Sequence, residues 1–426
     1  MNIIKTWSKR ILFYILCLIG IVPCHAQEQW AIYNTHNSEI GGNTIMALTS
    51  DNKGNLWVGT NLGLCRLKGR TWTDYAMFNS KLKDQYVDCL VVDQNGVLWI
   101  ATDDYGVIEL NGSQWTEHIK ETKRLNMQYI KDIAIDKEGV KWIGVSLNGL
   151  VRYDGQDWEK FTPDNSGLPS DFILCTAIDS RNRKWVGTNN GLCMFNGVRW
   201  ICYKKSTSGI CDDITPAVVI DENDVKWIGT LNGLSRFDGE QWTSYTTANS
   251  PLPDNQICDM AMDNSGNLWI ATHDGVAVFD RNNRWKAFTH KDCDLPNGVV
   301  QVIAIDSKNN VWMGTDFEGL ACLSGFQWPA VAQNEPSGEN AGSSNSNIKS
   351  EEKVTVVPFL EKGYVIIEME SATAHVQFES SKGEIVKDIP NYRAASRIAI
   401  SKMPKGNYTL RIQSERGEKT LKFNLK

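Results

Sequence analysis

Apolar residues along this chain come in short runs broken every few positions by Gly, Asn and Asp, a rhythm of strands and tight turns. One signature recurs with a period of 42 or 43 residues. Its anchor is a tryptophan, at Trp57, Trp99, Trp142, Trp185, Trp227, Trp269 and Trp312. Six residues before each stands an aspartate: Asp51, Asp93, Asp136, Asp179, Asp221, Asp263 and Asp306. Three residues after the aspartate comes Gly54, Gly96, Gly139, Asn182, Asp224, Gly266 or Asn309, residue types that tolerate positive φ. The spacing D-x-x-[G/N/D]-x-x-W therefore predicts a hairpin turn in which the Asp side chain caps turn amides, so these carboxylates are structural.

A second series, Trp30, Trp72, Trp115, Trp158, Trp200, Trp242, Trp285 and Trp328, lies between the first. The two series hold every Trp except Trp7. Between the anchors runs a Gly-led apolar strand, as in Gly63–Leu67 or Gly233–Phe237, usually followed by Asn-Gly or Asp-Gly. Each repeat is thus four short strands, and seven such units predict an all-β, seven-bladed propeller over residues 27–334. With seven inner anchors and eight outer ones, the Trp30 strand is expected to complete the blade begun near Val299. The alternative is that Trp328 completes that blade and Trp30 caps the ring.

Residues 335–352 are rich in Ser, Asn, Gly and Glu and read as a flexible linker. Beyond it, alternating segments at 364–369, 374–378, 396–400 and 408–412 predict a small antiparallel sandwich over 353–426. Residues 1–26 have a basic start (Lys5, Lys9, Arg10), an apolar run from Ile11 to Val22 and a short end at Ala26, as in a cleavable secretory signal. The apolar run is short for a membrane span, which needs ~20 residues. Cys24 follows Ile21-Val22-Pro23, with proline where a lipid-attachment motif has a small residue.

Hydrophobic residues at 42% and charged residues at 22% exclude wholesale disorder and a multi-span membrane protein. The formal charge of −6 becomes −9 without the leader, which disfavours nucleic acid as a partner. Past the leader the cysteines are Cys65, Cys89, Cys175, Cys193, Cys202, Cys211, Cys258, Cys293 and Cys322, an odd set without C-x-x-C spacing. Several fall on apolar strand positions as buried thiols, and Cys202 with Cys193 or Cys211 is spaced for a local bridge.

The units Asp51–Leu64 (DNKGNLWVGTNLGL) and Asp221–Leu234 (DENDVKWIGTLNGL) resemble the two-component regulator propeller repeat, and the likeness runs through residues 30–328. That resemblance implies an extracytoplasmic binding propeller, a type found as the sensing half of hybrid histidine kinases and associated with glycan use in Bacteroidota. The expected location is the periplasm or the cell surface. The stretch Met403–Ile412 resembles the C-terminal sorting domain of type IX secretion substrates, although Val357-Pro358-Phe359 stands where that domain has Pro-Asn-Pro. An immunoglobulin-like accessory domain is the competing reading.

No HExxH, GxSxG, Walker or EF-hand pattern occurs, so no catalytic group, metal or cofactor is assigned. The residues after each WxGT-like segment are Asn61, Asp103, Ser146, Asn189, Leu231, His273 and Asp316, expected as a ring near the channel mouth. Asp103-Asp104-Tyr105, and His273-Asp274 beside Asp316-Phe317-Glu318, depart most from the repeat and, with Asn189, form the candidate ligand site. The sequence thus points to an exported, noncatalytic propeller binding a glycan or peptide. The alternatives are a lyase-type enzyme similar to streptogramin lyases, with His273 as general base and a metal held by acidic loops, and an envelope scaffold for another protein.

Overall fold

The computed structural model describes residues 28–328 apart from 281 and 297, and in the tail 354–359, 364–369, 373–382, 384–393, 397–399, 403–414 and 417–425. The expected leader and linker lie outside the described residues. Each repeat forms one four-stranded antiparallel sheet. Blade 1 comprises Ile45–Ser50, Asn55–Thr60, Gly63–Lys68 and Thr71–Tyr75. Blades 2 to 6 begin with the strands Val87–Val92, Ile130–Ile135, Ile173–Ile178, Ala217–Ile220 and Ile257–Met262. Blade 7 begins with Val300–Ile305. First strands of neighbouring blades lie against each other around the circle, and the last meets the first, so the ring closes.

Blade 7 draws its outer strand from the other end of the chain. Gln29–Tyr33 pairs antiparallel with Leu320–Ser324, Trp30 opposite Leu323. Trp328 is therefore no outer-strand residue, contrary to its place in the second tryptophan series. Gly325 turns the chain at φ 71°, and Phe326 then packs edge-on against Trp269 at 4.9 Å. The Trp328 indole donates to Asn267 Oδ1 at 3.0 Å beneath the Arg284 guanidinium.

The Asp signature works locally in every blade. One oxygen of Asp51 accepts the amides of Lys53 and Asn55 at 2.9 and 2.8 Å. Its other oxygen accepts the Trp57 indole N–H, and the same Asp-to-Trp bond, 2.9–3.3 Å long, recurs in all seven blades. Burial by itself would raise the Asp51 carboxyl, yet the hydrogen bonds from Asn55 and Trp57 hold it below its ordinary value. The glycine two residues after Trp has a different cause: a Cβ on Gly59 would lie 2.6 Å from the Val87 carbonyl oxygen of the next blade. Blades are clamped further where Lys141, Lys184 and Lys226 place their ammonium groups 4.3, 4.8 and 5.1 Å over Trp99, Trp142 and Trp185 of the preceding blade.

Cys193 and Cys202 face each other on adjacent strands of blade 4 and form a disulfide. Cys211 instead donates its amide to Ser235 Oγ at 2.9 Å. In the tail, a three-stranded sheet (Val354–Phe359, Tyr364–Met369, Arg397–Ala399) and a four-stranded sheet (Ile385–Arg393, Thr373–Ser380, Gly406–Ser414, Gly417–Leu425) share one core. Ile367 and Ile398 of the first meet Val376, Phe378, Leu410 and Ile412 of the second, as a sandwich requires.

Candidate functional site

The Asp-to-Trp hairpins occupy one rim of the ring. The opposite rim, the mouth, is built from the turns between second and third strands and from the loops that enter each first strand. In six blades a threonine closes the mouth turn by donating Oγ1 to the carbonyl of the following glycine, at 2.7–3.3 Å. Blade 3 has Val145 at that place. Its turn carries Leu147 at φ 65°, and Tyr129, just before its first strand, sits at φ 57°. Every other described non-glycine residue at positive φ is Asn or Asp, so these two bulky side chains occupy a conformation that L-residues avoid.

The strained residues belong to a connected group. The Tyr129 amide donates to the Asp103 carbonyl at 3.2 Å, and its own carbonyl accepts from Ser146 at 2.9 Å. Asp84 staples the neighbouring loop, accepting the Tyr86 amide at 3.2 Å and the Asp104 amide at 2.7 Å. Asp88, one residue into the first strand of blade 2, is pushed up to about 6 by burial, with Lys131 opposing and Asp103 and Asp84 adding to the rise. Asp103 is raised for the same leading reason and by Asp104, again against Lys131. Tyr86, Tyr105 and Tyr129 remain 40%, 37% and 45% exposed beside these carboxylates. The arrangement offers aromatic faces, fixed carboxylates and one ammonium at a single blade junction.

The candidates Asp103, Asp104 and Tyr105 thus fall inside this group. Asn189 lies further round, its amide on the Phe172 carbonyl at 3.3 Å and its side chain accepting from Ser170 at 2.6 Å. The His273 amide bonds Gln256 O, the Asp274 amide bonds Thr272 Oγ1, and the Asp316 amide bonds Val299 O. The Glu318 amide rests on Thr315 Oγ1, and Phe317 is 71% exposed. Among the described residues no hydrogen bond or ion pair joins His273-Asp274 to Asp316-Phe317-Glu318. The His273 ring likewise has no hydrogen-bonded partner there. No group of three or more metal-ligating side chains is assembled among the described residues.

Sequence reasoning passed over Asp84, Tyr86, Asp88, Tyr129 and Lys131. Aligning the repeats at the position thirteen residues before each inner Trp gives Thr44, Tyr86, Tyr129, Phe172, Ile214, Gln256 and Val299, and that column carries the signal.

Four segments, residues 39–62, 81–104, 251–274 and 294–317, match the two component regulator propeller family. The chain carries two-component regulator propeller repeats. These repeats begin in a loop entering a first strand and end in a mouth turn, so the matched segments take in Asp103, Asp104, His273 and Asp316. No curated protein matches the sequence. Among solved structures, the extracellular domain of a hybrid two component system from B. thetaiotaomicron superposes with a TM-score of 0.63 at 17% identity, over 93% of this chain and 57% of that one. PorZ, a surface component of the type-IX secretion system of Porphyromonas gingivalis, gives 0.56 at 15% identity, over 91% and 60%. Virginiamycin B lyase from Staphylococcus aureus gives 0.55 at 14% identity, over 70% and 99%. The chain spans less than two thirds of the length of the first two. At these identities the likeness shows the propeller fold alone. Among the described residues no helix is long and apolar enough to cross a membrane.

Proposed function

We propose that this chain is an exported, noncatalytic propeller that binds a glycan or peptide at its mouth, with the junction of blades 2 and 3 as the site. One observation carries the reading: Tyr129 and Leu147 hold left-handed backbone conformations beside exposed aromatics and carboxylates. Strain of this kind persists where the surroundings over-determine it, and it concentrates at ligand sites. The Cys193–Cys202 disulfide supports an oxidising compartment, the periplasm or the cell surface. The tail sandwich serves either as a sorting module for export or as an accessory domain.

The test is thermal unfolding of the exported chain against panels of oligosaccharides and peptides. A ligand at a hundred times its dissociation constant adds about 2.7 kcal/mol of stability, enough for a clear rise in Tm. The rise is expected to vanish in Tyr129→Ala and to shrink in Asp103→Asn. A ligand whose effect survives both changes binds elsewhere, and the assignment of the site then fails.

A further inference from the structure

The mouth of blades 2 to 4, we propose, takes an extended peptide segment bearing lysine or arginine; this rests on the binding site assigned above and adds the chemistry of its occupant. The first support is geometric. The residue before the first strand is aromatic on three consecutive blades, Tyr86, Tyr129 and Phe172, and on no other. First strands of neighbouring blades lie side by side around the ring, so these three residues follow one another along one arc of the mouth. A peptide laid across the mouth in extended form meets one aromatic residue on each of the three blades, a row longer than a compact cation or a single sugar ring covers.

The second support is the polar lining of the same arc. Oδ2 of Asp88 and Oδ1 of Asp171, the residue preceding Phe172, are buried and accept no hydrogen bond from any described group. Asp84 and Asp103 stand beside Asp88, Asp104 stands beside Asp103, and Lys131 is the positive charge that acts on both Asp88 and Asp103. An ammonium or guanidinium at the mouth offsets the surplus negative charge around these buried oxygens and lies favourably over an aromatic face. A neutral sugar offers donors without the charge, and an acidic peptide adds repulsion.

Isothermal titration of the full exported chain with a Lys-Gly repeat peptide, a Glu-Gly repeat peptide and cellohexaose, each at low and high salt, tests the inference. Only the Lys-Gly peptide is expected to bind, more weakly at high salt. The double change Asp103→Asn with Asp104→Asn weakens it by about tenfold or more, and Lys131→Gln tightens it a few-fold by removing a like charge. Glu240→Gln, on the opposite rim, leaves it unchanged. Failure of the Lys-Gly peptide to bind, equal binding of the Glu-Gly peptide, or indifference to both sets of mouth variants overturns the inference. Cellohexaose binding that Tyr129→Ala abolishes, without Lys-Gly binding, would leave the site standing and remove the cationic peptide. Binding of any probe that Tyr129→Ala does not alter would remove the site itself.

Discussion

The two rims of the ring are made from the same seven repeats and follow opposite rules. On the hairpin rim every blade repeats one solution, an aspartate that satisfies two turn amides and an indole. Positive φ is carried there by Gly54, Gly96, Gly139, Asn182, Asp224, Gly266 and Asn309, all residue types that adopt it cheaply. On the mouth rim six blades close their turns with a threonine, whereas blade 3 gives up that bond and puts Tyr129 and Leu147 at positive φ. Uniformity on the first rim serves stability. The departure on the second costs local stability, which points to another use for that place.

The sharpest way to break this contrast is at the hairpin rim. Trp185 is 1% exposed, bonded to Asp179 and covered by Lys226. Trp185→Ala should destabilise the propeller by about 3–5 kcal/mol in denaturant unfolding. A loss under about 1 kcal/mol would show that the Asp-to-Trp layer does not hold the blades.

A medium effect is expected from pH, between the rims. Asp132 and Asp259 lie on the first strands of blades 3 and 6, where the other blades have Ala47, Cys89, Cys175, Ala217 and Val302. Each accepts an amide of the next blade, from Thr176 at 2.5 Å and from Ile303 at 2.9 Å. Burial nevertheless pushes them up to about 6 and about 7. An unfolded carboxyl titrates near ~4, so the folded state holds more protons between that pH and about 7. Their contribution is full below the unfolded value and is lost as pH rises through 6 and 7. Tm should thus be higher at pH 5 than at pH 8, and Asp132→Asn with Asp259→Asn should flatten the slope. Asp88, also raised, adds to the trend, while the lowered Asp51 and Asp136 act oppositely and only at more acidic pH. A slope unaltered by the Asn pair would place its origin elsewhere.

The smallest effect sharpens the comparison most. Tyr129→Gly relieves a left-handed tyrosine and should raise stability by up to about 1 kcal/mol while abolishing the ligand-induced Tm shift. Asn182→Gly, in a hairpin turn, should change stability by only a few tenths of a kcal/mol. If both glycine variants behaved alike in calorimetry, the strain at Tyr129 would carry no special meaning.

Much of the architecture was legible because its causes are local. An Asp, a residue tolerant of positive φ and a Trp within one short stretch define a turn and its cap without help from the rest of the chain, and counting the anchors pointed to closure through Trp30. Counting left Trp328 open, because a tryptophan after a strand reads alike whether it pairs or packs. Only the ring decided, by giving the outer place of blade 7 to Gln29–Tyr33. The partner of Cys202 was settled by strand register, which set Cys193 opposite it. The candidate site was half legible: Asp103, Asp104 and Tyr105 stood out as breaks in the repeat. Asp84, Tyr86, Asp88, Tyr129 and Lys131 did not, since each is ordinary within its own segment. Strands, turns and the number of repeats follow from short stretches of the chain, because hydrophobic alternation and turn chemistry act over a few residues. Which loops meet at the mouth and which side chains bear strain there follow from contacts between distant segments, because both depend on closing the ring.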